Sequence, residues 1–152
     1  MWVLKGDGSI PEGDRRILKG IGRWLQVNGE AVYGSRPWQI YGEGSTGEPE
    51  GQFTDAQEPA YTRKDNRFTA QGGSIYAFVL SYLEDGQVAI RSLAVFGGPE
   101  DGTGGVFDGK IRSVEILGSR ESLVWRRDLS GLHVRAGRAE GELPVVIRVR
   151  CH

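Results

Sequence analysis

Carboxylates set beside aromatic rings are the residues of this chain whose types and spacing could do chemistry. The stretch RPWQIYGEG, residues 36–44, places Trp38 and Tyr41, rings able to stack on a sugar face, next to Glu43. The run EPEGQFTDAQEPAY, residues 48–61, adds Glu58 among several acids, and the Gly-rich run GGPEDGTGGVFDG, residues 97–109, adds Asp101. Two carboxyls can divide acid and base work when a concave site raises the pKa of one of them. His133, in GLHVRAG, offers either an acid–base group or a hydrogen bond to a hydroxylated ligand. Each candidate has a plainer reading. Trp38 and Tyr41 suit a first strand and its core, the acids suit solvated loops, and His133 suits a strand surface.

The elements that must position these residues follow from periodicity. Residues 11–28 carry a helical pattern, with Ile17, Leu18, Ile21, Trp24 and Leu25 on one face of a 3.6-residue period. Pro11 fits the first turn, Glu12 and Asp14 oppose the positive end, and Asn28-Gly29 supplies a stop with glycine in a left-handed cap. Gly20 and Gly22 predict close packing against another element. After residue 36 the period becomes 2. RFTAQ and SIYAFVLSY flank a Gly-Gly pair, a hairpin signal. Both alternating sets of SIYAFVL are apolar, which predicts a central strand covered on both faces. QVAIRSLAVF, KIRSVEILG, SLVWRRD, GLHVRAG and LPVVIRVR follow at short spacing. The expected fold is mainly β: an N-terminal α-helix, then an antiparallel β-sandwich of seven to eight strands. The expected division is a helical segment over 1–36 and a sandwich over 37–152, with 42–66 a long loop.

Composition removes several function classes. The 152 residues carry 19 basic and 20 acidic side chains, so no surplus of cations or basic run points to nucleic acid. No run of 18 apolar residues predicts a membrane span. The single cysteine, Cys151, excludes an internal disulfide and reads as an inert thiol. No metal or cofactor is implied. MWVLKGDG lacks the order of a signal peptide, which leads to the expectation of a cytoplasmic protein.

The run DGSIPEGDRRILKGIGRWLQVNGEAVYGSRPW resembles the closing segment of the catalytic domain in the α-L-fucosidases of glycoside hydrolase family 29. YGEG, YTRKDNRFTAQGGSIYAFVL and IRSVEILGSRESLVWRRDLSGLHV follow in the same order, so the likeness runs from about Asp7 to Arg150. It implies that residues 7–36 correspond to the last helix of a (β/α)8-like barrel and residues 37–150 to the β-sandwich that packs against it. It also implies a retaining glycosidase whose aspartate nucleophile, acid/base carboxylate and fucose-holding histidines lie in the barrel. No residue here matches those motifs, and the stretch before DG reads only MWVLKG.

Two functional readings follow. One is a shortened fucosidase homologue directed at fucosylated carbohydrate, without efficient catalysis because the inherited active site is absent. The other is a minimal oligomeric α-L-fucosidase that uses carboxylates of the sandwich and its loops. Glu43, Glu58 and Asp101 would then be catalytic, and Trp38, Tyr41 and His133 would bind the sugar. The apolar stripe of the helix, uncovered by a barrel, predicts a homo-oligomer formed through residues 11–28.

Overall fold

The computed structural model describes residues 6–44, 46, 61–62, 64–81, 86–96, 105–135 and 144–152. Glu58 and Asp101 lie outside the described residues. Among the described residues the chain is mainly β, as its alternation predicts: one helix and eight strands in two antiparallel sheets. Helix α1 (Glu12–Asn28) leads into a 3-10 turn, Gly29–Ala31. Strands β1 (Arg36–Glu43), β2 (Asn66–Gln71), β3 (Ser74–Val79), β8 (Val145–Cys151) and β5 (Ile111–Ile116) form one sheet in that order. Strands β4 (Gln87–Ile90), β7 (Gly131–Arg135) and β6 (Val124–Asp128) form the other.

The main core fills the space between the sheets. Phe68, Ile75, Ala77, Val79, Val114, Ile147 and Val149 of the larger sheet meet Val88, Ile90, Leu132 and Val134 of the smaller one. Strand β3 lies third of five, and both its faces are buried. Its opposite set, Tyr76 and Phe78, packs with Val146, Ala31 and Trp24 in a second cluster that docks the helix end on the outer face. The indole N–H of Trp24 donates to the Pro144 carbonyl at 2.8 Å, and the Thr69 hydroxyl donates to the Ala31 carbonyl at 2.7 Å. Arg148 completes this seam, with Glu30 at 2.6 Å on one side and both oxygens of Glu115 on the other, at 3.0 and 2.9 Å. The β2–β3 hairpin turns on Gly72 and Gly73 at φ +55 and +77, the conformation a two-residue turn of this hand requires.

Several local expectations are corrected. Pro11 caps the helix from outside its first turn. Gly29 is right-handed, because the chain continues through the 3-10 turn to bury Ala31, and the left-handed glycine comes later, at Gly34. Gly20 is buried, whereas Gly22 faces open space. The run QVAIRSLAVF is a strand for only four residues and then coils into a second 3-10 turn, Arg91–Leu93. The helix stripe divides. Trp24 packs on the sandwich and Leu25 is partly buried, while Ile17, Leu18 and Ile21 remain 55, 43 and 46% exposed. Among the described residues no helix is long and apolar enough to cross a membrane.

Candidate functional site

Glu43 ends β1 at the point where the larger sheet passes the second 3-10 turn. Its Oε1 accepts from the Asn66 amide at 2.9 Å and from the Arg91 backbone N–H at 3.0 Å. Its Oε2 accepts from the Ser92 N–H at 2.7 Å and from the Ser92 hydroxyl at 2.5 Å. A carboxylate is well matched to the free N–H groups that open a helical turn. Glu43 thereby caps the 3-10 turn and ties one sheet to the end of the other. This cap is the physical reason that the run from Gln87 leaves the strand conformation at Arg91. Asn66 is fully buried, and its Oδ1 has no hydrogen-bond partner.

Beside it lies a second carboxylate that the sequence reading passed over. Asp65 is 0% exposed. Its oxygens accept from the backbone N–H and hydroxyl of Thr46, at 3.0 and 2.8 Å, and from those of Thr62, at 2.6 and 2.7 Å. Burial alone would raise its pKa, but these four bonds outweigh it and hold the carboxyl far below the ordinary range. Gly44 makes room for it. At φ +131 a Cβ there would sit 2.0 Å from Asp65 Oδ1. The signal was present in the sequence as T-x-x-D in YTRKDNRF, a side-chain-bonded turn pattern.

The aromatic candidates separate. Trp38 turns inward and packs edge-on against Phe68, with centroids 5.4 Å apart, and against Phe107. Tyr41 is 67% exposed, with the Arg67 guanidinium 5.9 Å from its ring centre. The two arginines of WRR point to opposite faces, as alternation predicts. Arg127 turns inward and donates to the carbonyls of Leu93, Ala94, Phe107 and Gly109 at 2.5–2.9 Å. No carboxylate is among those partners. Burial lowers its pKa against the pull of Cys151, and burial pushes the Cys151 thiol up.

His133 stands on the outer face of the smaller sheet. Its Nε2 lies 2.8 Å from the Ser130 hydroxyl and 3.1 Å from Asp128 Oδ1. Serine and aspartate address the same ring nitrogen, so the set lacks the relay of a nucleophilic triad, in which they address opposite nitrogens. Bonds from the Ser130 hydroxyl and N–H come first in holding the Asp128 carboxyl well below its usual range. The described site candidates thus do not converge. Glu43 lies at the junction of the sheets, Trp38 in the core, Tyr41 on the exposed side of β1 and His133 on the far sheet. Among the described residues no cluster of three or more His, Cys, Asp or Glu could hold a metal.

The architecture is that of a helix-docked antiparallel β-sandwich. No family model matches the chain. It is 34% identical over 86 residues to the tissue α-L-fucosidase of Rattus norvegicus, covering 57% of this chain and 15% of that protein. It is 28% identical over 125 residues to the tissue α-L-fucosidase of Bos taurus, covering 82% and 20%. Among solved structures, the Thermotoga maritima α-fucosidase superposes with a TM-score of 0.65 at 20% identity, over 97% of this chain and 29% of that one. The chain is thus similar to part of α-L-fucosidases, and the resemblance read from its sequence holds. It spans about 15–20% of the length of these curated relatives.

Proposed function

We propose that this chain is the sandwich part of a fucosidase-like protein directed at fucosylated carbohydrate, and that its described residues do not by themselves carry efficient hydrolysis. The observation behind this reading is the state of the carboxylates. A glycosidase needs one carboxyl kept protonated, with a raised pKa, facing a second one. Asp7, Asp65, Glu115 and Asp128, the described carboxyls whose pKa departs from the ordinary value, all move down. Glu43 is already taken up by Asn66, Arg91 and Ser92. In this reading residues 1–36 are the segment that closes a preceding barrel, and residues 37–152 are the sandwich.

The test pairs turnover of an aryl α-L-fucoside with titration of free fucose into the purified chain. The expected outcome is no turnover above background and weak sugar binding. Turnover well above background that co-elutes with the protein overturns the proposal.

The helix supports a second reading. Ile17, Leu18 and Ile21 leave an apolar ridge in water, and burying each would contribute about 1.5–3 kcal/mol. Two copies paired through residues 11–28 would cover it, and carboxylates of the sandwich and its loops would then have to supply the catalysis. That arrangement is the minimal oligomeric α-L-fucosidase. Mass measured in solution, for the wild type and for Ile17→Asp/Ile21→Asp, decides it. A wild type that is monomeric at high concentration removes this reading.

A further inference from the structure

The larger sheet has the helix end docked on its outer face, and the outer face of the smaller sheet carries a hollow of about 520 Å3. That volume lies within the range of roughly 300–1,000 Å3 usual for small-molecule sites. Alternation along β4, β7 and β6 turns Ala89, Val124, Arg126, His133 and Arg135 outward, and Lys64 joins them from the turn before β2. Cross-strand register fixes their arrangement. Ala89, His133 and Arg126 form one row across the three strands, and Gln87, Arg135 and Val124 form the next.

The charge of this hollow is one-sided. Lys64, Arg126 and Arg135 are all exposed. Among the described residues neither Lys64 nor Arg135 has an ion-pair partner, and Arg126 meets only Asp128, at 3.4 Å. Asp128 is itself occupied by both donors of Ser130 and by His133. Three cations therefore surround a small apolar floor of Ala89 and Val124, with one carboxylate, already engaged, at the end of the hollow. Two exposed guanidinium groups on adjacent strands suit planar, bidentate recognition of anionic oxygens. An apolar floor between them suits the hydrophobic face of a ring.

We propose that the outer face of the three-stranded sheet binds an anionic oligosaccharide, one that carries sulfate or carboxylate groups, through Arg126, Arg135 and Lys64. The carbohydrate half of this proposal rests on the function proposed above. The anionic half rests on the hollow alone. His133 is a member of the same face. Its Nε2 is fixed by Ser130 and Asp128, so it shapes the wall of the hollow.

The test is calorimetric titration of the full chain at low salt with a sulfated oligosaccharide, with the same oligosaccharide after desulfation, with a uronic-acid oligosaccharide and with poly-glutamate. The sulfated or the uronic-acid probe should bind at least about 10-fold more tightly than the desulfated one and weaken as salt rises. Arg126→Gln/Arg135→Gln should reduce that binding at least about 10-fold while leaving the melting temperature unchanged, since both side chains are exposed. Equal binding of the desulfated probe, or an unaffected double variant, overturns the proposal. Poly-glutamate binding as tightly as the sugars also overturns it, in favour of an acidic protein partner. Titration of neutral fucose on the same sample separates the two ideas. Fucose binding that survives the double variant leaves the proposed function standing while this site falls.

Discussion

Replacing Glu43 by Gln changes no shape and removes one charge, so it isolates what the carboxylate does. Both oxygens accept two hydrogen bonds, and the four donors are the Asn66 amide, the N–H groups of Arg91 and Ser92, and the Ser92 hydroxyl. A glutamine must turn its NH2 toward one of these pairs. Toward Asn66 and Arg91 it meets two donors. Toward Ser92 it meets an N–H and a hydroxyl, of which only the hydroxyl can reverse its role. Two charge-assisted bonds are lost or inverted in either orientation. Each is worth about 1.5–3 kcal/mol, and discounting for the half-exposed position of Glu43 leaves about 2–4 kcal/mol. For a chain of this size 1 kcal/mol moves the melting temperature by about 2–4 °C, so Glu43→Gln should melt about 4–16 °C below the wild type. Circular dichroism melts and urea midpoints at neutral pH read this directly. A variant that melts within about 1 °C of the wild type would refute the capping role and return Glu43 to the list of catalytic candidates.

Four other variants test further contacts of the fold. Gly44→Ala should cost about 2–4 kcal/mol, because the new Cβ would fall 2.0 Å from Asp65 Oδ1 at a φ of +131. Gly22→Ala, in open space on the helix, should instead gain up to about 1 kcal/mol, and paired urea curves compare the two. Arg127→Met keeps the bulk but leaves four carbonyls without their donor. It should cost about 2–4 kcal/mol, and wild-type stability in the variant would show that water replaces the guanidinium. Asp65 has its folded-state pKa lowered from 3.8, so its contribution is complete above about pH 4 and is lost as pH falls below that value. Asp65→Asn should be less stable at pH 7 yet lose less stability between pH 5 and pH 3. Equal losses in the two proteins would contradict the assignment.

The fold was legible because its signals are local or periodic. Alternation located the strands after residue 36, the Gly-Gly pair located the β2–β3 hairpin, and the doubly apolar SIYAFVL located the centre of the larger sheet. The breaks were harder to read, because tertiary partners set them. Nothing near Arg91 in the sequence announces a 3-10 turn, since its cap is Glu43, 48 residues earlier. The site was less legible for the same reason. Trp38 and Tyr41 sit three apart on one strand, and alternation alone places them on opposite faces. Whether the inward face met core or cleft depended on Phe68 and Phe107. Arg127 is one of two adjacent arginines in SLVWRRD, yet it serves the carbonyls of both Leu93 and Gly109. The cations of the outer sheet face were each visible, but Lys64, Arg126 and Arg135 share a hollow only once the strands are in register.

The docking of α1 has a mechanical consequence. No residue from Glu12 to Lys19 is buried, whereas Trp24, Ala31 and Glu30 anchor the far end to the Pro144 carbonyl, β2 and β8. The helix is a lever with its fulcrum at Trp24. None of the side chains of its first two turns is buried, so amide exchange should slow steadily from the first turn toward the fulcrum. Any load applied to that arm is delivered to β8, the strand that pairs with both β3 and β5 at the heart of the larger sheet.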